Sequence, residues 1–480
     1  ELEDGEHRVV VSAVDPVGDP TVGEYQFTVA QGAVDAMEPV PADLAEELVQ
    51  HQAYAAEQLR ALGLDADLAD FLVFIVSRYE ATLLLYAPVA ASDALRDPTW
   101  HTTSNAEFTA ALTDSSYSRF LMPGLASLSD DDARAFAPVL SYPEARWFTV
   151  DFTAMAHAEP LPGLFVAPTV TLLREWGQGQ LEPVAIRVGE LLVTPDDVPT
   201  WTLAKLFVMQ GAAYHLISLV HPRLHFPMDP INALTRSVLP AGHVLRRLLE
   251  PHLRFSLALN VGVRDHVRSV ARNDQGEAYT PFGIDGDSIF RLFSIGYRGL
   301  PGKAAYPAYR YPMGPTKLSS GYGTYLAGYY RCVLAFTERV CATIPRGDDA
   351  VRRWADAIAA FVPGFPAGAE IFRGDNLALA TATFIFTVSI AHSADHHDYA
   401  GGGSAVDVRQ SPLRLRVPPP RAPLQAPVPI EDTATPEDLF RYLMAWKMFF
   451  APTTLRRLDR TRSRFDAARE PALVTAADAF

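Results

Sequence analysis

Along residues 1–30, apolar and polar positions alternate in His7-Arg-Val-Val-Val-Ser-Ala-Val14 and Gly23-Glu-Tyr-Gln-Phe-Thr-Val29, with Pro-Val-Gly-Asp-Pro between them. A period of two interrupted by Pro and Gly predicts a β-hairpin. From residue 36 to 95 the pattern turns helical, with Pro41-Ala-Asp43 opening a helix from Leu44 to Leu62 and an apolar run from Phe71 to Val89. Helices are expected to continue to Arg146, followed by a short β region from Trp147 to Val193 and a long apolar helix from about Thr202 to Leu224. Residues Asn273 to Gly323 are rich in Gly and Pro, with Tyr and Phe recurring, and predict an extended surface loop. Tyr325 to Thr343 and Ala350 to Phe361 read as helices. Gly401-Gly-Gly-Ser404 and Pro412 to Pro429 read as a linker with polyproline character. Thr435-Pro-Glu-Asp438 starts a helix expected to reach Phe450, and Thr475 to Phe480 ends an interrupted amphipathic helix. The fold class is therefore mainly α with a small β region.

Composition narrows the function more than the fold. Hydrophobic residues make up 49% of the 480 and charged residues 20%, enough for one large core or two modest ones. A net charge of −15 argues against nucleic acid and against anionic membrane surfaces as partners. Cys332 and Cys341, nine apart in one predicted helix, exclude a disulfide framework and a zinc–thiolate site and read as buried packing residues. No apolar run reaches membrane-span length by this reading and no signal peptide is visible, so a soluble protein is expected, with cytoplasmic, secreted and periplasmic locations all open. Gly-x-Gly-x-x-Gly, a Walker loop, Gly-x-Ser-x-Gly and His-Glu-x-x-His are all missing.

The candidate chemistry lies in two histidine pairs, His221 with His225 and His392 with His396. On an α-helix residues four apart differ by only ~40° and lie one turn apart on the same face. Each pair can thus offer two imidazoles to one ion. Four neutral imidazoles on two facing helices suit iron, zinc or copper better than calcium or magnesium, which prefer oxygen. The plain alternatives are scattered, hydrogen-bonded core histidines and, for Asp395-His396-His397-Asp398, a charged helix end.

The surroundings of these pairs resemble the lipoxygenase family, the non-heme iron dioxygenases of polyunsaturated fatty acids. Leu181-Glu-Pro-Val-Ala-Ile186 is similar to the family's Leu-x-Pro-x-Ala-Ile strand, and Trp201-Thr-Leu-Ala204-Lys205 to Trp-x-x-Ala-Lys. Tyr214-His215 follows, and Met228-Asp229-Pro230 sits where the family has Met-Glu-Pro. Glu250-Pro251-His252-Leu-Arg254-Phe255 resembles the Pro-His-x-Arg-Tyr turn, and Leu259-Asn260-Val-Gly-Val263-Arg264 resembles Ile-Asn-x-x-Ala-Arg. Ser389-Ile-Ala-His392-Ser-Ala-Asp395-His396 resembles Ser-x-x-His-Ala-Ala-Val-Asn/His. The matches run in family order from about residue 160 to 400.

The resemblance implies a short N-terminal β segment over residues 1–35 and a lipoxygenase-like helical catalytic domain over 36–480. It also implies one non-heme iron held by His221, His225, His392 and His396. His243 and His252 match family histidines that do not bind iron and are expected to be structural. The implied substrates are a lipid and dioxygen. The implied reaction removes a hydrogen atom from a bis-allylic carbon by ferric iron with bound hydroxide, and dioxygen then adds to the radical to give a hydroperoxide. Two alternatives stay open: an iron enzyme of this fold with a different oxidation or cyclisation on a biosynthetic intermediate, and a noncatalytic lipid-binding relative.

Three departures from the family pattern bear on the site. The family spaces its first two ligands five apart, ~140° on a regular helix, and needs a π-bulge to bring both to the metal. The spacing here is four, which predicts a regular helix bent near Pro222. A rival register places Val220 at the first ligand position, and His221 is preferred because valine cannot bind metal. Second, Thr475-Ala-Ala-Asp-Ala-Phe480 does not match the family's C-terminal isoleucine motif, so the Phe480 carboxylate (if it is the true terminus), Asp395 or Asp398 is the candidate oxygen ligand. Third, Val263 falls where the family commonly has Gly or Ala, and Leu216 or Ile217 stands where it has a Gln near His215. Val263 and Leu216 are expected to border the substrate and oxygen channel.

Overall fold

The computed structural model describes residues 5–14, 20–29, 104–140, 145–225, 228–253, 281–298, 320–360, 364–399, 413–435 and 465–480, with Val362 and Asp438. The expected hairpin is present: strand β1 (Gly5–Val14) pairs antiparallel with β2 (Pro20–Val29), Gly5 opposite Val29 and Val14 opposite Pro20. The helices expected over 36–95 lie outside the described residues.

Helix α1 (Asn105–Asp114) opens on a reciprocal cap, the Ser104 hydroxyl accepting from the Glu107 N–H and the Glu107 carboxylate from the Ser104 N–H. One 3₁₀ turn (Ser116–Phe120), strand β3 (Leu121–Pro123) and helix α2 (Asp130–Phe136) follow. The helical reading up to Arg146 is thus corrected, because β3 interrupts it and Arg146 opens the next strand. Strands β4 (Arg146–Asp151), β5 (Thr169–Trp176), β6 (Gln180–Val188) and β7 (Leu191–Val193) complete an antiparallel sheet in the order β3-β4-β5-β6-β7, within the expected β region. Its register shifts between Leu172 and Leu173, where Pro183 enters the ladder opposite Leu173. Proline has no N–H to give to a central strand, so an irregularity belongs there. The sheet is buried on both faces. Val170, Leu172 and Ala185 pack against Phe136 and Trp147 on one side, and Leu173, Ile186 and Val188 face the main helical core on the other.

Asp197 caps helix α3 (Val198–Tyr214), accepting from the Thr200 N–H, with a proline in the first turn. Every residue from Leu203 to Tyr214 is buried, so this helix has no polar face and is enclosed by the rest of the fold. It continues through a π-helical segment (His215–Val220) into α4 (His221–His225). Helices α5 (Met228–Val238), α6 (Val244–Leu249), α7 (Gly286–Arg298), α8 (Gly321–Cys341) and α9 (Asp349–Ala359) follow. Helix α10 (Asn376–Ile385) runs through a second π segment (Phe386–Ala391) into α11 (His392–Tyr399), and α12 (Ile430–Thr433) and α13 (Pro471–Asp478) end the described elements. One core gathers α3, a sheet face and α7, and the other gathers α5, α6, α8 to α10 and α13. Trp354, wholly buried in the second, satisfies its indole N–H on the Thr235 hydroxyl at 3.0 Å.

Four expectations change. The stretch 273–323 is not a continuous surface loop, since α7 lies within it and buries Ile289 and Leu292 at helical spacing. The stretch 412–429 is not a solvated linker throughout, since Leu413 and Leu415 enter the first core and the Leu413 carbonyl accepts from the buried Tyr214 hydroxyl at 2.9 Å. Cys341 is buried as expected, but Cys332, on the outer side of the same helix, is exposed. Two helical stretches, Val198–His225 and Asn376–Asp395, are long and apolar enough to cross a membrane, with mean hydropathy 1.4 and 1.6. They are 94% and 67% buried inside the protein, which fits core helices.

Candidate metal centre

Both π segments end on a histidine. The His221 N–H donates to the Leu216 carbonyl and the His392 N–H to the Thr387 carbonyl, each bond reaching back five residues. A π turn holds one residue more than an α turn, so everything downstream is rotated by ~100° relative to an uninterrupted helix. The largely buried helices α3 and α10 can then pack in the two cores while α4 and α11 turn their histidines toward each other. The expectation of a regular helix from His221 to His225 is met locally, because α4 is α-helical. The expectation that no bulge is needed is corrected: the bulge stands one turn earlier. Pro222 contributes at the first segment, where its ring would collide with the Ser218 carbonyl in strict α geometry. The second segment has no proline after it, so what the two share is their place directly before a converging histidine.

Helix α7 braces the first π segment by close approach. A Cβ added at Gly296 would lie 2.2 Å from the Leu219 carbonyl oxygen and 2.4 Å from its Cα, so only glycine lets the two backbones meet there.

Three imidazoles converge. The Nε2 atoms of His221 and His225 are 2.9 Å apart, and those of His225 and His392 are 2.7 Å apart. Ligand atoms of all three lie within 4.8 Å of one another. The rings of His221 and His392 stack at 4.8 Å between centroids, and His225 meets His392 edge-on at 4.4 Å. Two nitrogens each about 2.1 Å from one cation and at right angles are about 3 Å apart, so the donor set fits a transition metal ion. Burial pushes the basicity of His221 and His392 well below the ordinary imidazole value, with neighbouring histidines, and for His221 the Arg119 guanidinium, adding to it. The rings are held neutral, the form a metal requires.

His221 rather than Val220 faces the other ligands, and Val220 is buried among apolar neighbours. His396 lies on α11 one turn beyond His392, with its side chain outside the described residues, as is that of Asp398. Asp395 is not free to ligate, since both its oxygens accept from Arg119. Phe480 stacks on Phe336 with centroids 4.7 Å apart, beside a cavity of about 650 Å³ between α8 and α13 whose lining includes none of the three histidines. Leu216 is buried in the first core, and its carbonyl closes the π turn. Val263 lies outside the described residues. Sequence reasoning missed Arg119, Tyr322 and Gly296, all beside the centre. The one available signal was Asp395, a carboxylate where the resembled motif has Val.

His243 and His252 have the structural roles expected of them. His243 caps α6, its Nδ1 accepting from the Leu245 N–H at 3.1 Å, and His252 Nδ1 lies 3.0 Å from the Ser389 hydroxyl in the second π segment. His215 donates from Nδ1 to the Gly211 carbonyl at 2.8 Å and packs on Phe152. Burial pushes His215 and His252 each down to about 4. A histidine whose folded value is depressed takes up protons only on unfolding, so stability falls as pH drops from about 6.5 toward 4. Thermal melts across that window are therefore expected to show a falling Tm. Replacing His252 by Gln should flatten the slope.

No protein-family model matches the chain. It is 27% identical over 287 residues to a polyunsaturated fatty acid lipoxygenase of Bos taurus, covering 53% of this chain and 41% of that protein. It is 28% identical over 136 residues to the epidermal-type polyunsaturated fatty acid (12S)/(13S)-lipoxygenase of Rattus norvegicus, covering 25% and 20%. Among solved structures, a calcium-dependent 11R-lipoxygenase superposes with a TM-score of 0.62 at 14% identity over 98% of this chain and 83% of that one. The chain is similar to the lipoxygenases in sequence and shares their fold. The manganese lipoxygenase of Gaeumannomyces graminis superposes over 98% of this chain and 88% of its own, with a TM-score of 0.59 at 17% identity. The mainly α fold with its small sheet is that of the solved lipoxygenases. The match spans about a fifth of the rat relative's length and two fifths of the bovine one's.

Proposed function

We propose that this protein is a lipoxygenase, a non-heme metal dioxygenase that inserts dioxygen into a polyunsaturated fatty acid to give a hydroperoxide. The observation that carries this reading is the convergence of three imidazoles from two helices, each turned to the site by a π segment. Iron is the proposed ion, held by His221, His225 and His392 with His396 as a fourth nitrogen donor. A redox-active ion held there would take one electron as a bis-allylic C–H bond loses a proton. It would give that electron back once dioxygen has added to the carbon radical, so that with a proton returned the hydroperoxide forms with no net redox change at the ion. Burial holds His221 and His392 unprotonated, and each follows buried apolar residues on its own helix, Val220 before His221 and Ile390 and Ala391 before His392. Leu216 and Val263 are proposed to border the path of the acyl chain and of dioxygen. A lipoxygenase crystallised with arachidonate shares the fold, with a TM-score of 0.62 at 16% identity, which supports a substrate of this class.

The four-residue ligand spacing and the salt-bridged Asp395 favour a second reading, in which the same metal performs a different oxidation or a cyclisation. Elemental analysis of the purified full chain together with oxygen uptake on linoleate and arachidonate separates the two. One iron per chain with substrate-dependent oxygen uptake and a conjugated-diene product is the expected result. Iron without uptake on either acid moves the assignment to the second reading, and protein without redox metal rejects both.

A further inference from the structure

Beside the histidines lies a buried ionic cluster assembled from three separate elements. Arg119, in the 3₁₀ turn after α1, places Nη1 3.1 Å from Asp395 Oδ2 and Nη2 2.5 Å from Oδ1. The same Nη2 donates to the Tyr322 hydroxyl at 2.9 Å, and that hydroxyl donates to Asp395 Oδ1. Arg119 is itself anchored, its Nε donating to the Ser116 carbonyl at 2.9 Å. The Asp395 side chain is 2% exposed and that of Arg119 15%. Arg223 on α4, largely buried, lies near enough for its charge to be felt by both.

Asp395 follows His392 by three residues, so the two side chains leave α11 on neighbouring azimuths, ~60° apart. The π turn that precedes α11 breaks the α-helical register just upstream, so the rotation of α11 about its axis depends on what holds it downstream. A bidentate guanidinium is directional and resists that rotation as an apolar contact would not. The buried carboxylate would otherwise be an uncompensated anion within reach of a cation site.

We propose that Arg119 and Tyr322 act through Asp395 as positioning residues for the metal centre. The clamp sets the direction of His392 Nε2 and keeps the Asp395 carboxylate out of the coordination sphere. The inference rests on the metal-centre reading and adds a contact from the 3₁₀ turn, far away in sequence, to what determines ligand geometry.

Titration of the metal-depleted full chain with Co²⁺, followed by its d–d absorption, reports both affinity and coordination geometry. Wild type is expected to bind one equivalent. Asp395→Asn, which keeps the volume and removes the charge, should bind Co²⁺ at least tenfold more weakly with shifted bands. Tyr322→Phe deletes one hydroxyl only, so it should keep the wild-type circular dichroism and show a smaller band shift in the same direction. Where Asp395→Asn fails to fold, Tyr322→Phe decides. Unshifted bands and binding within twofold of wild type in the folded variants overturn the clamp while leaving the metal centre intact. A wild-type chain that takes up no Co²⁺ overturns the metal-centre reading, and the clamp with it.

Discussion

His225→Ala is expected to purify with less than about a tenth of the wild-type metal. His225 is the middle member of the trio, with its Nε2 2.9 Å from that of His221 and 2.7 Å from that of His392. Its loss leaves only His221 and His392, stacked at 4.8 Å between ring centroids, as the two remaining donors of an incomplete site. Each nitrogen contributes to a chelate, so affinity falls by far more than one third, and loss of substrate-dependent oxygen uptake should accompany it. The substitution is benign for the backbone, because alanine is the best helix former and α4 needs no polar side chain to close it. Far-ultraviolet circular dichroism should therefore match that of metal-depleted wild type. His243→Ala is the informative contrast. It removes a cap from α6, at about 1 kcal/mol, and should leave metal content unchanged. Full metal occupancy in His225→Ala would falsify the assignment of the centre.

Gly296→Ala is expected to destabilise the protein by about 3 kcal/mol or more, although alanine in place of a helical glycine normally stabilises by about 1 kcal/mol. The sign reverses because the added methyl would sit 2.2 Å from the Leu219 carbonyl oxygen and 2.4 Å from its Cα, and a backbone cannot swing aside as a side chain can. Helix α7 must then move off the π segment, and the turn that aims His221 loses its support. Gly211→Ala provides a scale, since the methyl there meets the side chain of Phe152 at 2.9 Å. Thermal melts should rank wild type above Gly211→Ala above Gly296→Ala, with metal content reduced chiefly in the last. A Gly296→Ala protein as stable as wild type would mean that α7 and the π segment do not meet as described.

The hairpin, the sheet region and the long apolar helix were legible because each carries a periodicity tied to its backbone repeat. His221 and His225 were legible as a pair because spacing of four on one helix already implies one face, and His392 was tied to them only through the resemblance of the motif around it. The π segments were not. Their residues, His215-Leu-Ile-Ser-Leu-Val220 and Phe386-Thr-Val-Ser-Ile-Ala391, are as apolar as the helices they interrupt, and a single extra residue leaves no trace in a pattern with no polar face to compare. Helix α7 was hidden for a different reason: glycine and proline flank it on both sides, and the composition of the surrounding segment outweighed the spacing of Ile289, Leu292 and Phe293. The Arg119–Asp395 pair spans 276 residues, so no local signal could join its members. Cys332 was read as buried from its residue type, whereas α8 turns that side outward.

The two π segments also make the centre sensitive to chain length in a way that residue chemistry does not reveal. Most of their side chains face apolar cores, so a conservative exchange at Ile217 or Val388 alters packing and little else. Because each π turn already takes up one extra residue, losing one there would let the helix relax to continuous α geometry with its histidine on nearly the same azimuth, whereas losing a second would carry that histidine about 100° round the axis. Substitutions, and one lost codon in each π segment, can therefore be absorbed along these helices, whereas a second loss in the same helix turns its histidine away from the other two.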